Sequence, residues 1–237
     1  MLALWQIAAW AAQSPVLPGP GEVIPTLARA LVAGTLAQHL ATSSYRVVVS
    51  IALATGTALP LGLLLGYNPS LYRLSSPLIY LTYPVPKVVL LPVMLMFLGV
   101  GDSSKVAIIF LILFYQVLIV IRDAAHGVPS ELVESVHSLG AGWLALLRYV
   151  FLPVSAPALL SALRISVGTA IAVLFFVESF GTNSGLGFYI LVEGWGRLAY
   201  REMYAGVVAM ALLGMALYFA LELLERRMCR WVRAGKQ

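Results

Sequence analysis

VVVSIALATGTALPLGLLLGYNPSLY, residues 47–72, is a run of 26 residues without a charged side chain, bounded by Arg46 and Arg73. A hydrocarbon core is crossed by roughly 20 helical residues, so this run is long enough to span a bilayer. No polar stripe interrupts it, as the water-facing side of a soluble helix would require. Gly62 and Gly66 stand in GxxxG spacing, which lets a second helix approach closely; the alternative is local flexibility beside Pro60.

The remainder of the chain has the same character. Of 237 residues, 61% are hydrophobic and 11% charged, and the mean hydropathy is +0.93. A soluble domain carries roughly 25% charged residues, because its surface faces water. The composition therefore predicts an all-α polytopic membrane protein, a single membrane domain over 1–237, since helices satisfy their own backbone groups in lipid. Further spans are expected at Ser75–Leu98 (interrupted by Lys87), Val106–Ile121, Leu152–Val177 (interrupted by Arg164) and Met203–Leu221. The apolar Met1–Ala12 has no preceding Lys or Arg and reads as a short first helix rather than a cleavable signal, bringing the total to about six.

The net charge of +5 does not indicate nucleic acid, because the basic residues form no stripe with interleaved aromatics. Arg226, Arg227, Arg230, Arg233 and Lys236 cluster in the last segment, about 226–237, as a basic tail at an anionic lipid surface. The positive-inside rule then places the C-terminus, the 122–151 loop and Arg73 in the cytoplasm. Arg29, Lys105, Arg197 and Arg201 fall on the opposite side, with Arg46 nearer the membrane. On that outer side Glu22–Leu40, with Ile24, Leu27 and Leu31 on one face, reads as an interfacial helix, and Gly181–Tyr200 as a re-entrant or extracytoplasmic loop.

Catalytic signatures are missing from the sequence. The three histidines, His39, His126 and His137, are too scattered for a metal site, His39 standing alone on the outer segment; the lone Cys229 allows no intramolecular disulfide. The two aspartates, Asp102 and Asp123, fall on opposite sides of the membrane, which argues against a membrane-embedded lipid enzyme. A stand-alone carrier or channel is the other alternative. Gly99–Lys105 lacks the glycine before lysine of a phosphate-binding loop. Arg164 reads as an anchor between helices. Lys87, between Pro84, Pro86 and the next apolar run, either attracts an anion or is structural, and Glu178 either serves the pathway or gating or solvates a helix end.

The stretch from Pro129 to Pro157, PSELVESVHSLGAGWLALLRYVFLPVSAP, carries the functional argument. Ser130 can cap a helix, Glu131 and Glu134 suit its first turns, and Leu132, Val136 and Leu139 recur on one face. Gly140 is a natural stop. This short amphipathic helix resembles the cytoplasmic loop of binding-protein-dependent ABC importer permeases. Glu134 matches that loop's glutamate, Gly140 its glycine, and Val150-Phe151-Leu152-Pro153 its apolar–x–Leu-Pro close; Ser135-Val136 stands where Ala-Ala is usual. Leu17-Pro18-Gly19-Pro20, Ser44 with Arg46, Pro60-Leu61-Gly62, Pro84-Val85-Pro86-Lys87, Leu91-Pro92, Phe97-Leu98-Gly99-Val100-Gly101 and Ser184-Gly185-Leu186-Gly187-Phe188 resemble, in order, permeases of the nitrate, sulfonate and taurine group.

The resemblance implies a type I ABC importer permease fold in a bacterial inner membrane. It further implies that Glu131–Gly140, including Glu134, Val136, His137 and Leu139, is a coupling helix within the 123–151 loop. Its partners would be two ATPase subunits that carry the ATP chemistry, an extracytoplasmic substrate-binding protein, and a second permease copy in a homodimer. The chain itself would hold no cofactor or metal, and its cargo would be a small anion.

Overall fold

The computed structural model describes residues 2–229, which are helical and contain no strand. Arg230, Arg233 and Lys236 of the basic tail lie outside the described residues. The helices, in order, are α1 (Leu2–Ala12), α2 (Pro20–Val32), α3 (Thr35–Tyr67), α4 (Pro69–Thr82), α5 (Leu91–Leu98, after a 3-10 turn at Lys87–Leu90), α6 (Asp102–His126) and α7 (Ser130–Ser138). Then α8 (Trp143–Leu146), a π turn (Leu147–Phe151) and α9 (Leu152–Ser179) run on as one 37-residue helix. Finally come α10 (Leu186–Phe188), continued by a π turn to Trp195, and α11 (Tyr200–Met228).

Four helices are long and apolar enough to cross a membrane: α3, α6, the helix containing α9, and α11. The pair α4 and α5, bent by 73° at its break, makes a fifth when it is counted as one broken span. The expected first span is shorter than the bilayer, since the 11 residues of α1 reach only about 16 Å. The total of about six is thus five with the broken pair counted, the difference being α1, or four without it.

The outer segments also differ from expectation. The interfacial helix ends at Val32, and His39 and Leu40 already belong to α3. Its inward residues are Val23 and Thr26, with Leu27 and Ala30 against the core, whereas Ile24 and Leu31 are exposed. The cause is packing of α2 on α11 and α3, which selects a different face from the one the apolar pattern suggests. The segment 181–200 is largely helical, because α10 and its π extension pack on α9 and α11.

Helices α3 and α6 form the central pair, parallel and in intimate contact, with Arg46 beside Asp102 at one end and Gly66 beside Ala125 at the other. A methyl group at Gly62 would lie 2.9 Å from the Ile121 side chain, and one at Gly66 would lie 2.6 Å from Ala125 Cβ. The GxxxG pattern is therefore a packing face. One apolar cluster, around Val47, Ile108, Leu174 and Leu186, fills the end where α6 begins; another, around Leu63, Ile121, Leu146 and Phe151, fills the end where α6 meets α7. Around this core Leu78, Leu81, Met96, Phe97, Ile165 and Phe219 are exposed, as suits side chains solvated by lipid or a membrane partner.

Candidate functional site: an exposed helix, a cleft at a broken span and a buried ionic cluster

Helix α7 projects from one end of the bundle between α6 and α8, and none of its residues is buried. Pro129 takes the cap position and Ser130 begins the helix, so the expected Ser130 cap is absent; proline's fixed φ (−57°) already sets the entry. The inward-leaning residues are Val133 and Val136, which touch the core. Leu132 and Leu139, expected on the same face as Val136, are exposed at 49% and 85%. Glu131, Glu134, Ser135 and His137 are exposed too. Gly140 has φ +80°, a left-handed conformation that glycine adopts freely, and its N–H bonds to the His137 carbonyl at 2.9 Å. Leu144 and Tyr149 extend the exposed apolar surface.

The second feature is the break between α4 and α5. Pro84 and Pro86 supply no N–H there, which leaves carbonyls of the preceding turn without helical partners. Lys87 curls back to satisfy them: its Nζ donates to the Thr82 carbonyl at 2.8 Å and to the Tyr83 carbonyl. The ammonium also stands 4.4 Å from the centre of the Tyr115 ring. Lys87 is buried in the fold and does not snorkel. It lines an open cleft of about 350 Å³ together with Pro84, Pro86, Tyr115, Gln116 and Thr169. An adjoining hollow of about 410 Å³ shares Tyr83, Gln116 and Thr169 and adds Ser166.

The third feature lies at the opposite end from α7. Glu178 is fully buried rather than solvated at its helix end. Its carboxylate accepts from Ser43 Oγ (2.8 and 2.9 Å), Arg46 Nη1 (2.8 Å) and the Gly187 N–H (3.0 Å). Arg46 also pairs with Asp102 at 2.6 Å and donates to the Ser184 carbonyl at 2.9 Å. The glycines of 184–188 explain themselves here: Gly185 has φ +106°, and a Cβ on Gly187 would sit 2.6 Å from Glu178 Cβ. His39 does not stand alone, since its Nδ1 accepts from the Gly185 N–H at 3.0 Å and its ring packs near Phe188 and Tyr189. Lys105, also fully buried, ties α6 to the Val100 and Gly181 carbonyls at 2.6 and 2.7 Å.

Pathway candidates Lys87, Pro84 and Pro86 thus share one cleft, whereas Glu178 belongs to a separate cluster that binds α3, α6, α9 and the 181–188 segment together. Arg164 joins Glu225 of α11 at 3.1 Å, the expected anchor between helices. Asp102 and Asp123 lie at the two ends of α6. Among the described residues no group of His, Cys, Asp or Glu is placed to hold a metal ion. The sequence reading missed Ser43, Gln116 and Thr169. The visible signal was a polar residue, such as Gln116, inside an otherwise apolar span.

A protruding amphipathic helix between two spans of an apolar helical bundle is a strong discriminator, and the sequence matches accordingly. The profile of the family described as "Binding-protein-dependent transport system inner membrane component" matches residues 58–230. The chain belongs to this permease family. It is 31% identical over 234 residues to the taurine transport system permease protein of Escherichia coli, covering 96% of this chain and 84% of that one. It is 28% identical over 233 residues to a putative aliphatic sulfonates transport permease protein of Bacillus subtilis, covering 98% and 84%. In fold the permease is similar to a chain of the MetNI methionine ABC transporter in an inward-facing conformation: TM-score 0.67, 20% identity, 81% of this chain and 95% of that one. The fold is the type I ABC importer permease fold, and the chain is a multi-pass transport subunit rather than an enzyme. Importers of this family combine such a permease with separate ATPase subunits and a binding protein.

Proposed function

We propose that α7 is the docking element through which ATPase subunits drive this permease. The observation that carries the reading is that α7 buries no residue of its own and still presents Leu132 and Leu139 beside Glu131, Glu134 and His137. Apolar side chains held out on a helix whose other side leans on the core suit a groove in a partner. The turn at Gly140 sets the direction in which the chain leaves this surface. Loop 123–151 is then the coupling loop of one membrane domain, and the α7 end, with the basic C-terminal segment, faces the cytoplasm of a bacterial cell.

Two such permeases form a homodimer carrying two ATPase subunits, with a substrate-binding protein at the opposite end. The exposed apolar surface of α4 and α5 supports burial against a second copy or lipid. The chain holds no cofactor, and ATP acts through the partner. The cargo is a small anion, a reading supported by the names of the taurine and sulfonate relatives.

Co-purification from native membrane in mild detergent tests the docking. The wild-type chain is expected to bring down an ATPase in about equal amount. Gly140→Trp, or deletion of residues 131–139, is expected to insert normally and lose the ATPase. Retention of the ATPase by both variants would assign docking to another surface.

A further inference from the structure

The cation at the broken span differs from every other buried cation of the bundle. Arg46 pairs with Asp102 and Glu178, and Arg122 with Asp123. Lys105 has no carboxylate partner among the described residues, but it is enclosed and ties two carbonyls together. Lys87 likewise has no carboxylate within salt-bridge distance among the described residues, and unlike Lys105 it borders an open hollow. Two of its three N–H groups serve the Thr82 and Tyr83 carbonyls, so its charge remains uncompensated.

The position is central. Tyr115 lies 13 residues into α6, about 20 Å from the Asp102 end. Thr169 lies ten residues before the end of α9, about 15 Å. A cation at that depth is tolerable only beside protein or water, not lipid tails. The wall agrees: Gln116 keeps its Oε1 buried without a hydrogen-bond partner, and Tyr83, Ser166 and Thr169 line the same hollow. A buried amide oxygen left in that condition is paired by water or solute when the hollow is filled.

We infer that the cleft formed by Lys87, Tyr83, Tyr115, Gln116 and Thr169 is a hydrated station in the translocation pathway where a small anion pauses against the Lys87 ammonium. The inference rests on the small-anion reading above and gives it a place. Lys87 has both tasks: it holds the break between α4 and α5 and supplies the unpaired charge. Gln116 and Thr169 supply polar groups beside it.

Thiol labelling of the assembled transporter in membranes reads the charge directly. The background is Cys229→Ser, the probe site Thr169→Cys, and the reagents are a sulfonate-bearing and a trimethylammonium-bearing methanethiosulfonate of similar size. The sulfonate reagent is expected to react about tenfold faster or more, by electrostatic focusing. Lys87→Met is expected to bring the two rates within about twofold, and Lys87→Arg to keep the preference. A merely structural lysine would give equal rates for the two reagents in the Lys87 protein and in Lys87→Arg alike. If Lys87→Met loses its gel-filtration peak, Lys87→Gln serves as the neutral variant, with the same expected loss of preference. Absence of labelling, equal rates in the Lys87 protein, or a preference that survives in folded Lys87→Met would overturn the assignment. Labelling does not depend on recovery of the ATPase through α7, so failure of the docking proposal is a separate result. If the cleft labels with the opposite preference, the small-anion cargo fails with it.

Discussion

The two ends of this permease are built on opposite principles. At the end where α6 begins, Arg46, Glu178 and Lys105 are enclosed and every one is engaged by partners from other segments. At the α7 end a whole helix is left without a buried residue. Buried charges cost several kcal/mol each unless geometry and hydrogen bonds compensate, so the first end holds one arrangement and resists alternatives. The second end has little to lose by binding something else. A subunit that transmits motion needs both: a frame that keeps α3, α6 and α9 in register, and a handle outside it.

The largest effect should come from unpairing the enclosed end. Arg46→Met leaves Glu178 and Asp102 without their cation and is expected to cost about 3–5 kcal/mol. The detergent-solubilised protein should lose its monodisperse peak on heating well before wild type. An unchanged melting curve would mean that the cluster is wet rather than enclosed.

Next in size is the α3–α6 seam. Gly66→Val forces a side chain against Ala125 and the Arg122 carbonyl, and overpacking of this kind costs about 1–3 kcal/mol. The same thermal assay should place it between Arg46→Met and wild type. Indifference to this substitution would show that the helices separate easily here.

Smaller again is Arg164→Met, which breaks a partly exposed pair with Glu225 and is expected to cost about 1 kcal/mol or less. Least affected in stability is the handle: Leu139→Ser, at a position 85% exposed, should shift folding by no more than about 0.5 kcal/mol. It should nevertheless weaken ATPase recovery in the co-purification assay. A large loss of stability from Leu139→Ser would mean that α7 packs against the bundle in the membrane.

Much of this was legible in the chain. The uncharged run after Arg46 announced a span because no charged or strongly polar face existed to meet water. Gly140 ended its helix as expected, since the left-handed turn there favours glycine. The face of α7 was misjudged because Leu132, Val136 and Leu139 satisfy a helical period, yet Val133 with Val136 is what meets the core. Periodicity names a face only when a single neighbour decides it, and at a bundle edge the neighbour covers only part of the helix. His39 and Gly185 are 146 positions apart and meet in one hydrogen bond, a pairing that no local pattern encodes.

By itself the sequence determined that the chain lives in a bilayer, where its spans break, and which loop resembles the coupling element. These follow from local quantities: apolar length, proline positions, glycine stops. Only the tertiary structure decided that Glu178 is enclosed by Ser43, Arg46 and Gly187, and that Lys87 remains unmatched beside a cleft. Compensation of a charge depends on what distant segments bring within about 3 Å of it, and that distance exists only once α3, α6 and α9 have packed.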